Sequence, residues 1–204
     1  MSIVTSKRFR SLSFVFMALA AVSACKERDT ILAGDRIGIR PQETFVVQNV
    51  AAPINLGAPI SNAAWPQKSF GASHVVPHLA LSATPSLRWT TDIGRGNSDQ
   101  SRITSEPVVA NGVIYTLDAA SVVRAVSAAN GATLWSTNLV PLNDNRGREG
   151  FGGGLAIEGN QLFVGSGFGE LLSLSAENGA VQWRYAFDAP LRSAPAVADG
   201  QVYF

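Results

Sequence analysis

Residues 127–135 read SAANGATLW and residues 175–183 read SAENGAVQW, two copies of one pattern that agree at Ser, Ala, Asn, Gly, Ala and Trp with an offset of 48 residues. Tyr115 and Phe163 keep the same offset, each 20 residues before its Trp. A third copy opens at Ser193, where SAPAVADGQVYF parallels SEPVVANGVIYT from Ser105 and sets Tyr203 opposite Tyr115 and Phe163. Between these landmarks lie short β-branched and aromatic runs cut by Asn-Gly, Asp-Gly and Gly-rich turns, the pattern of antiparallel sheet. A period of about 40 to 50 residues holding four short strands is that of a propeller blade.

The expected fold class is therefore all-β, a β-propeller of four-stranded blades with about two and a half blades present. Blade one spans 105–138, with strands expected at Pro107–Ala110, Val113–Leu117, Val122–Ser127 and Thr133–Asn138. Blade two spans 154–187 and the start of blade three 193–204. Asn130-Gly131 and Asn178-Gly179 are expected to supply the positive φ of a tight hairpin turn. Trp135 and Trp183 follow Gly131 and Gly179 by four residues, on the outer strand, where each indole is expected to cover the gap to the neighbouring blade. Because Phe204 falls inside the second strand of blade three, a fragment of a longer product is expected, poorly stable by itself.

The amino-terminal part has a different texture. Lys7, Arg8 and Arg10 precede the apolar run Leu12 to Ala24, the order of an export signal and short for the roughly 20 residues of a membrane-spanning helix. The run ends in Val22-Ser23-Ala24-Cys25, which resembles the lipobox of bacterial lipoproteins. That resemblance implies a signal peptide over 1–24 and a lipidated Cys25, held to a bilayer by acyl chains worth about 0.8 kcal/mol per buried methylene. Lys26, where an Asp commonly signals inner-membrane retention, points by the same resemblance to the outer membrane. Residues 25–85 read as a Pro-rich tether with one short strand at Thr44 to Val50, and Trp65 before Pro66 is an extended dipeptide suited to anchoring an indole on a surface.

Composition narrows the chemistry. The 204 residues are 46% hydrophobic, and 16 Lys and Arg against 15 Asp and Glu leave no basic excess for a nucleic-acid partner. A single cysteine excludes an intrachain disulfide and a multi-thiolate zinc site. His74 and His78 flank Pro77 without a helical pattern, so they read as surface residues of the tether. The strings Gly152-Gly153-Gly154 and Gly165-Ser166-Gly167-Phe168-Gly169 lack the Lys-Ser/Thr of a phosphate loop and read as turns between strands. Asn143 to Glu149 lacks the ligand spacing of a calcium loop and reads as an inter-blade loop, whose Arg146 and Arg148, with Phe151, are candidates for a protein partner. No catalytic residue, metal site or cofactor is expected.

With Leu171-Leu172-Ser173-Leu174 before it, SAENGAVQW resembles the tryptophan-docking repeat of pyrroloquinoline-quinone-type propellers, with Ser127 and Ser175 where Asp is usual. Taken with the lipobox, the tether and Trp89 in LRWTTDIG, the chain resembles the BamB family, lipoproteins of the outer-membrane β-barrel assembly machinery. The resemblance implies an eight-bladed ring closed by Ser86 to Asp92 on a final blade. It also implies a non-catalytic scaffold on the periplasmic face of the outer membrane. The implied partners are the central, BamA-like barrel protein, with Leu191 and Arg192 near the contact region, and unfolded β-barrel precursors. The rival is a periplasmic quinoprotein dehydrogenase or ligand-binding propeller, which needs a quinone, calcium, a catalytic Asp and usually a vicinal disulfide.

Overall fold

The computed structural model describes Gly34, Ala51 and residues 53–99, 101–142 and 152–204, and the fold lies in the unit Pro53–Phe204. Ten strands and no helix are present among the described residues. Strands β1 (Val108–Ala110), β2 (Val113–Leu117), β3 (Val122–Ser127) and β4 (Thr133–Asn138) form one antiparallel sheet in sequence order. Strands β5 (Gly153–Glu158), β6 (Gln161–Ser166), β7 (Glu170–Ser175) and β8 (Val181–Ala186) form the second. Strands β9 (Ala196–Ala198) and β10 (Gln201–Tyr203) begin the third. These are the four-stranded blades that the repeat predicts, with strand positions agreeing to within a residue.

Cross-strand rows explain the matched aromatic positions. Tyr115 faces Ala125, which faces Trp135, so one small residue separates two rings that meet at 5.8 Å between centroids. Phe163, Ser173 and Trp183 repeat the row in blade two, with the rings 6.1 Å apart. In each blade the register slips immediately before the tryptophan, leaving Leu134 or Gln182 without an opposite residue. Such a bulge bends the outer strand and re-aims the side chain that follows it.

The turns differ in one respect from the expectation. Two-residue hairpins with both residues at positive φ occur at Asn111-Gly112 (51° and 72°) and Asp199-Gly200 (52° and 72°), joining the first two strands of a blade. Asn130-Gly131 and Asn178-Gly179 instead sit in a longer loop closed by Ser127 N donating to Ala132 O and Ser175 N to Ala180 O, both 2.8 Å. There only the glycine is left-handed, while the asparagine accepts from the amide two residues on, at 3.1 and 3.0 Å.

The Gly-rich strings are also not simply turns. Gly153, Gly154 and Gly165 lie within β5 and β6, and only 167–169 is the turn between β6 and β7.

The main core lies between blades one and two. Val108, Tyr115, Leu117, Val123 and Leu139 of the first pack with Leu155, Leu162, Val164, Leu172 and Leu174 of the second, all buried. Ala156 and Phe163 meet Val197 and Val202 in a smaller cluster toward blade three. The first strands approach one another, β1 against β5 and β5 against β9, and so form the inner side of the stack. Residues 53–99 form no strand. They touch the blades through isolated bridges, Trp65 to Val109 and Gln67 to Ala156. His74 and His78 are exposed, with His78 Nδ1 2.7 Å from the Gly57 carbonyl oxygen.

Candidate functional site

The tryptophans build the seams between blades. Trp135 reaches from β4 to the turn of blade two, donating its indole N–H to the Ala176 carbonyl at 3.0 Å. Tyr115 O–H donates to the same oxygen at 3.2 Å, and burial raises the phenol above its ordinary pKa. The Trp135 ring lies on Gly179, whose φ is +74° and whose carbonyl accepts from Thr137 Oγ1 at 2.7 Å. A side chain at 179 would occupy the space of the indole. Trp89 repeats the arrangement one step earlier. It donates to Ala128 O at 3.1 Å and covers Gly131, at a sequence separation of 39 against 41 for Trp135. Residues 86–92 form no strand here, and their visible role is this docking onto blade one. The 46 residues from Trp89 to Trp135, close to the repeat of 48, are the sequence signal that identifies Trp89 as a docking residue. Trp183 is 39% exposed and, with Leu171, Arg184, Tyr185, Phe187 and Phe204, lines an apolar groove of about 480 Å³.

A second structural centre escapes sequence reading. Asp118 is buried in the β2–β3 turn and accepts from the amides of Ala120 and Val122, both at 2.8 Å, and Arg95 at 3.0 Å. Arg124 Nη1 adds an ion pair at 3.1 Å and donates to Ile93 O at 2.6 Å. Burial alone raises the Asp118 pKa, but the hydrogen bonds from Val122, Arg95, Arg124 and Ala120 outweigh it and hold the carboxyl below its ordinary range. The carboxylate thus ties the segment after Trp89 to blade one. The repeat places Ser166 at this position in blade two, with its hydroxyl buried and unpartnered among the described residues. An Asp followed six residues later by Arg on the next strand is the only sequence trace of this clamp.

The partner-binding candidates fall on blade-to-blade connectors. The β8–β9 connector carries Leu191 and Arg192; the Leu191 amide donates to Ser166 O at 3.2 Å, while Arg192 is exposed. Gly152, immediately before β5, lies at the same place, against Arg192 and the Leu191 carbonyl. Gly154 has no room for a side chain because Ala194 lies against it. Gly152 and the Leu191-Arg192 segment therefore meet at one end of the stack. Arg146, Arg148 and Phe151 lie outside the described residues, as do Val22, Ser23, Ala24 and Cys25 and the strand expected at Thr44 to Val50. Among the described residues, no three His, Cys, Asp or Glu side chains group as metal ligands.

Residues 119–204 match the family model described as outer membrane protein assembly factor BamB. Proteins of that description from Salmonella typhimurium and Shewanella oneidensis are 30% and 33% identical over 128 and 132 residues. The repeats are similar to those of the BamB family. The alignments cover 61% and 60% of this chain and 32% and 33% of those relatives, so the chain spans about a third of the length of the BamB proteins it matches. Among solved structures, quinohemoprotein alcohol dehydrogenase from Comamonas testosteroni superposes with a TM-score of 0.52 at 22% identity, covering 69% of this chain and 22% of its own. That likeness shows a shared blade architecture alone. The Trp-on-Gly seams are how the repeats of this chain stack.

Proposed function

We propose that this chain belongs to a lipid-anchored scaffold of the outer-membrane β-barrel assembly machinery, which binds the central barrel protein and aids delivery and insertion of β-barrel precursors. The match of residues 119–204 to the assembly-factor family carries this reading. It is a non-catalytic role. Asp118, the most deeply buried carboxylate among the described residues, is saturated by amides and Arg124 and holds structure together.

Two features of the fold suit such work. The β8–β9 connector presents Leu191 and Arg192 beside Gly152, a surface with an arginine and an apolar neighbour fitted to a protein partner, and Arg146, Arg148 and Phe151 are further candidates from the sequence. Strands β4 and β8 end their sheets, and no strand pairs with their outer edges among the described residues. Open edges of this kind accept extended chains by strand addition, which suits β-rich precursors.

The experiment is affinity purification from detergent-solubilised envelopes, followed by mass spectrometry. Recovery of a barrel-assembly protein, weakened by Leu191→Ala and Arg192→Glu, is the expected result. Recovery with an electron-transfer protein, or with bound quinone absorbance, would replace the scaffold by the dehydrogenase reading.

A further inference from the structure

The first strand of every blade is a sheet edge, and an unpaired edge is a template for any extended chain. In this structure one tripeptide meets the inner edges of all three blades. At blade one, the Trp65 amide donates to Val109 O at 2.7 Å and the Val109 amide to Trp65 O at 2.8 Å, a full backbone pair. At blade two, the Ile157 amide donates to Pro66 O at 2.8 Å. At blade three, the Gln67 side chain completes the series: its Oε1 accepts from the Val197 amide at 2.7 Å and its Nε2 donates to Val197 O at 3.3 Å. The primary amide does there what a strand backbone would do.

Local chemistry fits the segment for this path. Proline at 66 keeps Trp65 extended and needs no acceptor for a missing N–H, while its carbonyl stays available. Gln67 is only 7% exposed, so its amide is a buried polar group whose donor and acceptor are both used. After the third contact the chain turns away. The Phe70 amide donates to Gln67 O at 3.1 Å, Ser69 and Phe70 take positive φ of 56° and 80°, and the Phe70 ring meets Trp65 edge-on at 5.5 Å.

We infer that Trp65–Gln67 is an intramolecular strand clasp that fills the inner edges of three consecutive blades together and excludes an extended peptide from them. Strand addition by a partner is thereby directed to the outer edges, and the inner edges open only when the clasp lifts as a unit. The inference concerns contacts within the chain and stands whether or not the assembly role holds.

Amide hydrogen exchange on the full chain tests it, using Gln67→Glu, which sets a carboxylate against the Val197 carbonyl. The expected result is exchange at least tenfold faster at Val109, Ile157 and Val197 together, although the substituted side chain touches only the last. A synthetic peptide spanning Asn62–Lys68 then slows all three again in the variant and has no effect on the unsubstituted chain. Amides of Leu162 and Leu172 in the centre of blade two report that the blades remain folded. If they too lose protection, Gln67→Met, similar in size and without the amide, takes its place. Faster exchange confined to Val197, no change in either variant, or no re-protection by the peptide would overturn the clasp.

Discussion

Two donors converge on one acceptor at the Ala176 carbonyl, the Trp135 indole N–H at 3.0 Å and the Tyr115 hydroxyl at 3.2 Å. Trp135→Phe and Tyr115→Phe each leave the other donor in place, so each is expected to cost about 1 kcal/mol. The double substitution strands the carbonyl and is expected to exceed the sum by about 0.5–1 kcal/mol, measurable by urea denaturation in a double-mutant cycle. Asp118 allows a prediction in pH. Its folded pKa lies below the ordinary value of 3.8, so its contribution is complete above that value and is lost as pH falls through the folded one. Asp118→Asn is expected to cost about 2 kcal/mol at pH 7, because Arg124 loses its ion pair and three amides lose a charged acceptor. The gap between the two proteins in urea titrations should narrow progressively below about pH 4. A gap constant from pH 7 to pH 3 would show that the carboxylate charge is not what the clamp uses. Trp135 and Tyr115 stand out in the sequence through the repeat, whereas Asp118 does not, since an Asp in a turn looks the same whether it faces water or four donors.

At the scale of strands and turns, the glycine under each docking indole separates two costs that usually come together. Gly179 and Gly200 have nearly the same backbone, φ +74° and +72°. An added Cβ at 200 meets nothing within 4 Å, whereas at 179 it collides with the Trp135 ring and, at 2.6 Å, Thr137 Oγ1. Gly200→Ala is therefore expected to cost about 1–2 kcal/mol, the left-handed penalty alone. Gly179→Ala should cost that plus about 1–3 kcal/mol for displacing a packed ring, as overpacking does. Thermal denaturation of the two variants gives the difference, and equal losses would mean that the indole yields freely. Much at this scale is legible in the sequence because its causes are local. A strand of five or six residues between turn residues, repeated with Trp, Gly and an aromatic at fixed offsets, specifies β2, β3 and β4 without any distant contact. The bulges at Leu134 and Gln182 are not legible, because one unpaired residue depends on the neighbouring strand. Nor is the path of Trp65–Gln67, whose partner at Val197 is 130 residues away. The Asn130-Gly131 turn lies between these cases: its residues are diagnostic of a turn, but the length of the loop is fixed by the Ser127–Ala132 pairing.

For the whole molecule, the proposed membrane anchor can be set against the alternative of charge attraction. Lipidation at Cys25 and simple charge attraction make opposite predictions. Without the cations of residues 1–24, the chain carries 13 basic and 15 acidic residues. It therefore has no excess charge with which to hold an anionic headgroup surface, and raising the salt should not release it. Acyl chains on Cys25, at about 0.8 kcal/mol per buried methylene, would hold it independently of ionic strength. Cys25→Ser is accordingly expected to move the exported chain from the sedimenting envelope to the soluble periplasmic fraction. The unsubstituted protein should remain with the envelope through a wash in 1 M salt and leave only in detergent. The blades themselves should be unaffected, so circular dichroism and the denaturation midpoint of the released variant should match those of detergent-extracted protein. Should Cys25→Ser still sediment and then come off in salt, the anchor would be a bound partner rather than lipid. The connector end that carries Leu191 and Arg192 would then be the place to look for it.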